Sequence, residues 1–356
     1  MAIQRLSIND FLSQSAGQLI LDVRSPGEYA HAHMPAALNF PLFTDEERKI
    51  VGTAYKQESR EQAIKLGLDF FGPKMRPMVE RAEALIVSVH GSEGERAPAV
   101  VYLYCWRGGM RSAAIAWLLD LYGFKVYTLA GGYKAYRNYV LQTFSRPFPL
   151  KIIGGYTGSG KTDVLHRLEK NGSRVIDLEK IASHRGSAFG SYRMPPPPTQ
   201  EMFENLLAEA LVEQSNRKDG DEFIWIEDES QRIGNMNIPP AFWDTMRIAP
   251  LVFLEIPFEE RLNYLVREYG DCEVENLVGS VERISKRLGG LETKNTLAFL
   301  SEGNIRGAFA ILLHYYDKRY LKGLNNREAL PALLTKIECT AVSPENAELF
   351  IKPQTV

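Results

Sequence analysis

Val100-Val101-Tyr102-Leu103-Tyr104-Cys105-Trp106-Arg107-Gly108-Gly109-Met110-Arg111-Ser112 sets the architecture of the N-terminal half of the chain. Its apolar start predicts a buried strand, the segment from Cys105 to Gly109 a turn, and the spacing from Met110 to Leu119 a helix. Cys105 then lies where loop N–H groups and the first helical turn converge, a field that favours anions and lowers a thiol's pKa. Gly108 and Gly109 let the backbone curl tightly enough to aim several donors at one point, with Ser112 beside them. Arg111 adds a forked cation. The pattern predicts a reacting thiolate rather than an inert buried cysteine.

Working outward, the 356 residues suffice for two ordinary domains, and 45% apolar with 24% charged residues marks a globular chain. Cys105, Cys272 and Cys339 are too far apart for a disulfide framework or metal-ligand spacing, which suits a reducing cytosol; no metal site is assigned with certainty. No apolar run approaches membrane-spanning length, and Met1-Ala2-Ile3-Gln4-Arg5-Leu6 has no signal-peptide pattern, so a cytoplasmic protein without a membrane partner is expected. A net charge of −2 argues against bulk coating of nucleic acid but leaves room for a local basic face.

Upstream, Gln18–Val23 reads as a buried strand, and Ser25-Pro26-Gly27-Glu28 supplies a helix start with an N-cap and a first-turn proline. Thr44–Val89 is helical by spacing, with breaks expected near Gly72-Pro73 and Pro77, and Gly91–Pro98 reads as a polar loop. Downstream of the Cys105 helix, Lys125–Leu129 is a strand and Gly131-Gly132-Tyr133 turns into a helix ending near Phe144. Asp22-Val23-Arg24-Ser25-Pro26-Gly27-Glu28-Tyr29, His33-Met34-Pro35-Ala36-Ala37, the Cys105–Ser112 loop and Leu129-Ala130-Gly131-Gly132-Tyr133 together resemble the motifs of a rhodanese domain. Five residues separate Cys105 from Arg111, where single-domain sulfurtransferases of that family usually have four; the longer loop is also that of rhodanese-fold phosphatases.

Arg146-Pro147-Phe148-Pro149 stops helix propagation and resets the periodicity, so residues 1–144 are expected to form the first domain, 145–150 a linker and 151–356 the second. Gly155-Tyr156-Thr157-Gly158-Ser159-Gly160-Lys161-Thr162 fits the P-loop pattern in full, between the strand Leu150–Ile153 and a helix bearing Val164, Leu165 and Leu168. Gly155, Gly158 and Gly160 shape a loop whose N–H groups would cradle a di- or triphosphate. Lys161 would meet its terminal charge and Thr162 could hold Mg²⁺. Further strands at Arg174–Leu178, Glu222–Ile226, Pro250–Ile256 and Thr335–Cys339, alternating with helices, predict a parallel sheet. Glu227, Asp228 and Asp177 stand at strand ends where an acid would orient Mg²⁺ or a water. His184, Arg185 and Ser187 form a charged, glycine-rich loop suited to contact a phosphate or substrate.

From about residue 259 the chain is helical and locally basic. Arg283, Lys286 and Arg287 form one cluster, Lys318 and Arg319 another among Tyr315, Tyr316 and Tyr320. The cations suit RNA phosphates, while the tyrosines read better as core than as base-stacking platforms. The expected fold is thus α/β: an N-terminal rhodanese-like domain, then a P-loop NTPase-like parallel-sheet domain with helical C-terminal additions.

The order rhodanese then P-loop, with Asp177-Leu178-Glu179, the His184–Gly190 run and Gly52-Thr53-Ala54-Tyr55-Lys56-Gln57, resembles the tRNA 2-selenouridine synthase family along nearly the whole chain. The resemblance implies a transferase acting on tRNA that carries 2-thiouridine at the wobble position: geranyl diphosphate first alkylates the sulfur, and selenophosphate then supplies selenium. No tightly bound cofactor is implied beyond Mg²⁺ with the diphosphate, and an enzyme supplying selenophosphate is a natural partner. Cys105 would carry selenium as a selenosulfide or assist direct attack by selenophosphate, with Arg111 holding the anion. Two other readings fit the motifs: a nucleotide-dependent kinase with a rhodanese regulatory module, and a non-catalytic tRNA binder.

Overall fold

The computed structural model describes residues 3–90, 99–219 and 222–351, so the expected loop Gly91–Pro98 lies outside the described residues. The chain divides into two compact units, one ending at Thr143 and the other beginning at Phe144.

The first unit is built on a five-stranded, wholly parallel sheet of β1 (Gln4–Leu6), β2 (Leu19–Asp22), β3 (Leu38–Asn39), β4 (Val100–Tyr104) and β5 (Lys125–Leu129), in the spatial order β1-β5-β4-β2-β3. β2 and β4 are apolar without alternation because helices cover both faces, and Leu21, Val101 and Leu103 are wholly buried. Each such side chain removed from water is worth about 1.5–3 kcal/mol. The expected helical stretch forms Asp45–Gln57, Arg60–Phe71 and Met75–His90, the last two joined by a 3-10 turn at Gly72–Lys74. Pro77 does not break it, because it falls in the first turn of Met75–His90, where its missing N–H has no helical partner to lose.

The second unit carries β6 (Leu150–Gly155), β7 (Arg174–Ile176), β8 (Ile224–Glu227), the antiparallel pair β9 (Arg232–Ile233) and β10 (Met236–Asn237), then β11 (Leu251–Glu255) and β12 (Leu334–Glu338). Its main sheet is again parallel, ordered β12-β11-β6-β8-β7, so β6 is central and the loop that follows it emerges at the carboxyl edge. Helices Phe258–Tyr269, Val274–Leu288, Gly290–Ser301 and Ile305–Asn325 form a separate apolar cluster around Leu277, Val281, Leu312 and Leu313. The stretch read as a linker is drawn into this unit: Phe148 packs edge-on against Phe242, and Leu150 already opens β6. β7 stops at Ile176, two residues short of expectation, because Asp177 leaves the strand to cap the helix Leu178–Ala182.

Candidate functional site

In the first unit β4 ends at Tyr104 and the helix Met110–Tyr122 begins after Gly109, which places Cys105 at the carboxyl edge of the sheet. The loop is held from below: the Cys105 carbonyl accepts from the Tyr133 N–H at 2.8 Å and that of Trp106 from Lys134 at 3.0 Å. Gly132, in left-handed backbone, makes this approach possible, since a Cβ there would lie 2.2 Å from the Cys105 carbonyl oxygen.

The Cys105 thiol is 3% exposed, with Sγ 3.2 Å from the Ser112 hydroxyl and 3.3 Å from the donating Gly109 N–H. Burial pushes the thiol up, but the Ser112 hydroxyl, the Ser112 and Gly109 N–H groups and the Arg111 charge outweigh it, so its pKa lies below that of an ordinary cysteine. Arg111 does not point its fork at an open cradle. It donates to Glu28 at 2.6 and 3.4 Å, and Arg48 approaches the same carboxylate at 3.7 Å. Glu28, to which the sequence alone assigns no role beyond a helix start, is therefore the counter-charge of the site, held below the usual carboxylate range, against its burial, by Arg111, the Ser25 N–H and Arg48. Beneath the loop Arg24 is buried, paired with Asp22 at 2.6 Å, and stacked 3.8 Å from the Tyr133 ring centroid. The 38%-exposed Trp106 stands over Tyr133 at 5.7 Å.

In the second unit Gly155, Gly158 and Gly160 all carry positive φ, and Gly160 precedes the helix Lys161–Lys170. Lys161 Nζ donates to the Gly155 carbonyl at 3.1 Å, closing the loop on itself. Arg261, 3% exposed, braces it: the guanidinium donates to the Thr157 carbonyl at 3.1 Å, to that of Ile256 at 3.2 Å and through two 2.8 Å bonds to Asp317. The Tyr320 hydroxyl accepts from the Gly155 N–H at 3.2 Å and donates to Asp228 at 2.6 Å.

Both Asp228 oxygens are engaged, one by the Tyr320 hydroxyl that also meets the Gly155 N–H and the other by Arg327, so the structure ties Asp228 to the phosphate loop through Tyr320 rather than leaving it open for the metal-orienting place expected of it. Asp177 is likewise engaged, capping the Lys180 N–H at 2.7 Å and pairing with His166 at 2.8 Å. Glu227 does face the site, accepting from the Glu179 N–H at 3.3 Å, with its other oxygen buried and unpartnered. Glu179 accepts from the Thr162 hydroxyl at 3.0 Å, and Glu229 stands beside Glu179 and Lys161. Burial and mutual repulsion raise all three carboxyls, Glu229 to about 8, against the opposing pull of Lys161 on Glu179 and Glu229. Glu229 reaches the site because the chain turns just past the strand end, the Glu229 N–H donating to the Glu227 carbonyl at 3.0 Å, a turn with no signal in the sequence. Among the described residues no group of three or more His, Cys, Asp or Glu side chains could hold a metal ion.

The loop after Ser183 lies across this edge. Gly186 carries no side chain where a Cβ would sit 2.4 Å from a Glu229 oxygen, and the His184 ring is pressed between Gly190 and Gly234. Burial and the nearby Arg283 charge lower the His184 pKa, favouring the neutral ring. Arg185 pairs with Glu268 at 3.1 Å, and the Ser187 hydroxyl accepts from the Phe189 N–H at 3.2 Å. Arg283 donates to the Ala188 carbonyl and the Ser280 hydroxyl, so it ties this loop down; Lys286, Arg287, Lys318 and Arg319 are exposed, with Arg319 on the Tyr315 hydroxyl at 3.3 Å. The Tyr316 and Tyr320 hydroxyls are spent inside the unit, as expected of core tyrosines.

A thiol in a donor loop at one parallel-sheet edge and a P-loop with buried acids at another define a rhodanese-like unit followed by a P-loop unit. Family models agree: a rhodanese-like domain matches residues 8–139 and a tRNA 2-selenouridine synthase AAA domain residues 148–339. The chain belongs to the tRNA 2-selenouridine synthase family. It is 36% identical over 333 residues to the tRNA 2-selenouridine synthase of Shewanella piezotolerans, covering 85% of this chain and 87% of that one. It is 39% identical to that of Hydrogenovibrio crunogenus and 37% to that of Pseudomonas putida, each over 76% of both chains. No helix among the described residues is long and apolar enough to cross a membrane.

Proposed function

We propose that this protein replaces the sulfur of wobble 2-thiouridine in tRNA by selenium, in two chemical steps divided between its units. The carrying observation is one chain with a pKa-lowered thiol in an anion-favouring loop and a complete, braced diphosphate loop. In the first step the thiouridine sulfur attacks the allylic carbon of geranyl diphosphate. A C–S bond forms, the C–O bond breaks, the N3 proton of the base passes to solvent as the C2=N3 bond forms, and diphosphate leaves, with Lys161 and the loop N–H groups stabilising the charge that develops on it. Alkylation turns a poor leaving group into a thiol that can depart. Mg²⁺ on the diphosphate would be held by the Thr162 hydroxyl, with Glu179 and Glu227 orienting its water shell; the unpartnered Glu227 oxygen fits that task.

In the second step the Cys105 thiolate displaces geranylthiol from the ring carbon, the departing sulfur taking a proton from solvent. The selenium of selenophosphate then displaces Cys105, and water removes the phosphoryl group as phosphate. This order balances; a selenosulfide on Cys105 would need a two-electron oxidant. Arg111, released from Glu28, supplies the cation for the incoming anion. The test separates the steps by mass spectrometry of digested tRNA. Cys105→Ser should abolish selenouridine while geranylthiouridine still forms, and Lys161→Ala should slow geranylation by more than tenfold with the first unit folded. Full selenation by Cys105→Ser, or unchanged geranylation by Lys161→Ala, would overturn the assignment.

A further inference from the structure

The helix Asp45–Gln57 is tied to the thiol site through its first turn. Both Asp45 carboxylate oxygens accept from the Gly27 N–H at 3.0 Å, and a Cβ on Gly27 would lie 2.9 Å from one of them, so the start of this helix rests directly on the start of the helix Pro26–His31. The same turn is clamped from another side, Glu47 pairing with Lys74 and accepting from the Thr44 N–H at 2.9 Å. Arg48 therefore stands one turn into a helix whose entry is fixed, and Asp45, the carboxylate three positions before it, is spent on Gly27. Half exposed, Arg48 holds its Nε 3.7 Å from Glu28 Oε2, an ion pair too long for a hydrogen bond. The same oxygen takes the 2.6 Å bond from Arg111. Two guanidinium groups thus face one carboxylate, which leaves a surplus positive charge beside Cys105. Glu28 can give up both cations without being orphaned, because Oε2 also accepts from the Ser25 N–H at 3.2 Å and the Ser25 hydroxyl at 3.3 Å, the capping box of its own helix.

We infer that Arg48 and Arg111 together form the anion clamp of the Cys105 site, that the Glu28 carboxylate is a stand-in which the substrate anion displaces, and that the ligand is a phosphate-like dianion such as selenophosphate. The inference rests on the selenophosphate reading of that site and adds to it Arg48 and the helix that carries it. A carboxylate brings one charge, whereas a phosphate-like dianion brings two, together with enough acceptor oxygens for two forked cations. Exchange of Glu28 for the dianion therefore balances the charge that Glu28 leaves uncompensated.

Protection of Cys105 from iodoacetamide by inorganic thiophosphate tests this, in the full chain with Cys272→Ser and Cys339→Ser present. Thiophosphate has the charge and shape of selenophosphate, and iodoacetamide is neutral, so the concentration giving half protection reports anion binding alone. Arg48→Ala should raise that concentration at least about tenfold, the loss of one charge-assisted contact. Arg48→Lys, which keeps the charge but not the fork, should recover only part of it. Lys49→Ala, which removes an exposed charge one position further along the same helix, should change it less than twofold and so separates a contact from a diffuse field. Glu28→Gln, which weakens the competing group, should lower it several-fold. If thiophosphate protects the wild-type thiol yet Arg48→Ala binds it as well as wild type, or Lys49→Ala costs as much as Arg48→Ala, or Glu28→Gln fails to strengthen protection, this inference alone falls. If thiophosphate does not protect wild-type Cys105 at all, the selenophosphate reading of the site falls, and this inference with it.

Discussion

At the scale of single residues, the environment of Cys105 is a contest between burial, which favours the neutral thiol, and short-range donors, which favour the thiolate. The donors win, with the Ser112 hydroxyl the largest of them. Ser112→Ala should therefore raise the pH midpoint of Cys105 alkylation and slow alkylation at neutral pH by roughly tenfold, since a hydrogen bond to a charged group is worth about 1.5–3 kcal/mol. The measurement is iodoacetamide reaction rate against pH, with Cys272→Ser and Cys339→Ser present to isolate the signal. An unchanged midpoint would mean that the backbone donors suffice. This part of the site was legible in the sequence, because a cysteine followed by Gly108-Gly109 and a helix start has few other conformations. Glu28 was not legible as the partner of Arg111: its helix-start role explained it locally, and only the fold brings positions 28 and 111 together.

At the scale of elements, the phosphate loop depends on two helices that the P-loop motif does not mention. Arg261 on Phe258–Tyr269 and Asp317 on Ile305–Asn325 join across the loop, and the same guanidinium holds the Thr157 carbonyl. Asp317→Asn leaves a nearly buried cation without its counter-charge and should destabilise the second unit by about 3–5 kcal/mol. Urea unfolding followed by tryptophan fluorescence checks it, with pyrophosphate titration reporting whether the loop loosens as well. A loss under about 1 kcal/mol would show that Arg261 is supported by its carbonyl partners alone. The second unit's main parallel sheet was predictable from apolar runs of strand length alternating with helices, and so were β2, β4 and β5 of the first; the three-residue β1, polar at Gln4 and Arg5, and the short pair β9–β10 were not. The brace was not, because Arg261 sits in a charged run that reads as a solvated face and only packing reveals its burial.

At the scale of the whole molecule, a chain of net charge −2 that binds a polyanion must do so through local clusters. Lys286 and Arg287 remain exposed at the end of the helix Val274–Leu288, whereas Arg283 is committed to the Ala188 carbonyl. Charge reversal at Lys286 and Arg287 should raise the tRNA Kd and flatten the slope of log K against log salt by roughly 0.7–0.9 for each phosphate no longer neutralised. Geranyl diphosphate binding should not change. Wild-type affinity and slope in the double variant would move the RNA surface to another part of the chain.

The pairing of β1 with β5 has a consequence for how the protein is made. Gln4 lies beside Tyr127 and Leu6 beside Leu129, so β1 must wait for a partner made on the order of a hundred residues later. Every neighbour in that sheet is parallel, and no hairpin can nucleate it locally. Until Leu129 emerges, β1 has no slot beside β5 to occupy, and the nascent chain exposes an apolar edge to solvent and to chaperones. The first unit can close only after Leu129 has left the ribosome, when synthesis is already inside the second unit, so a pause in translation early in that unit would favour orderly folding of both.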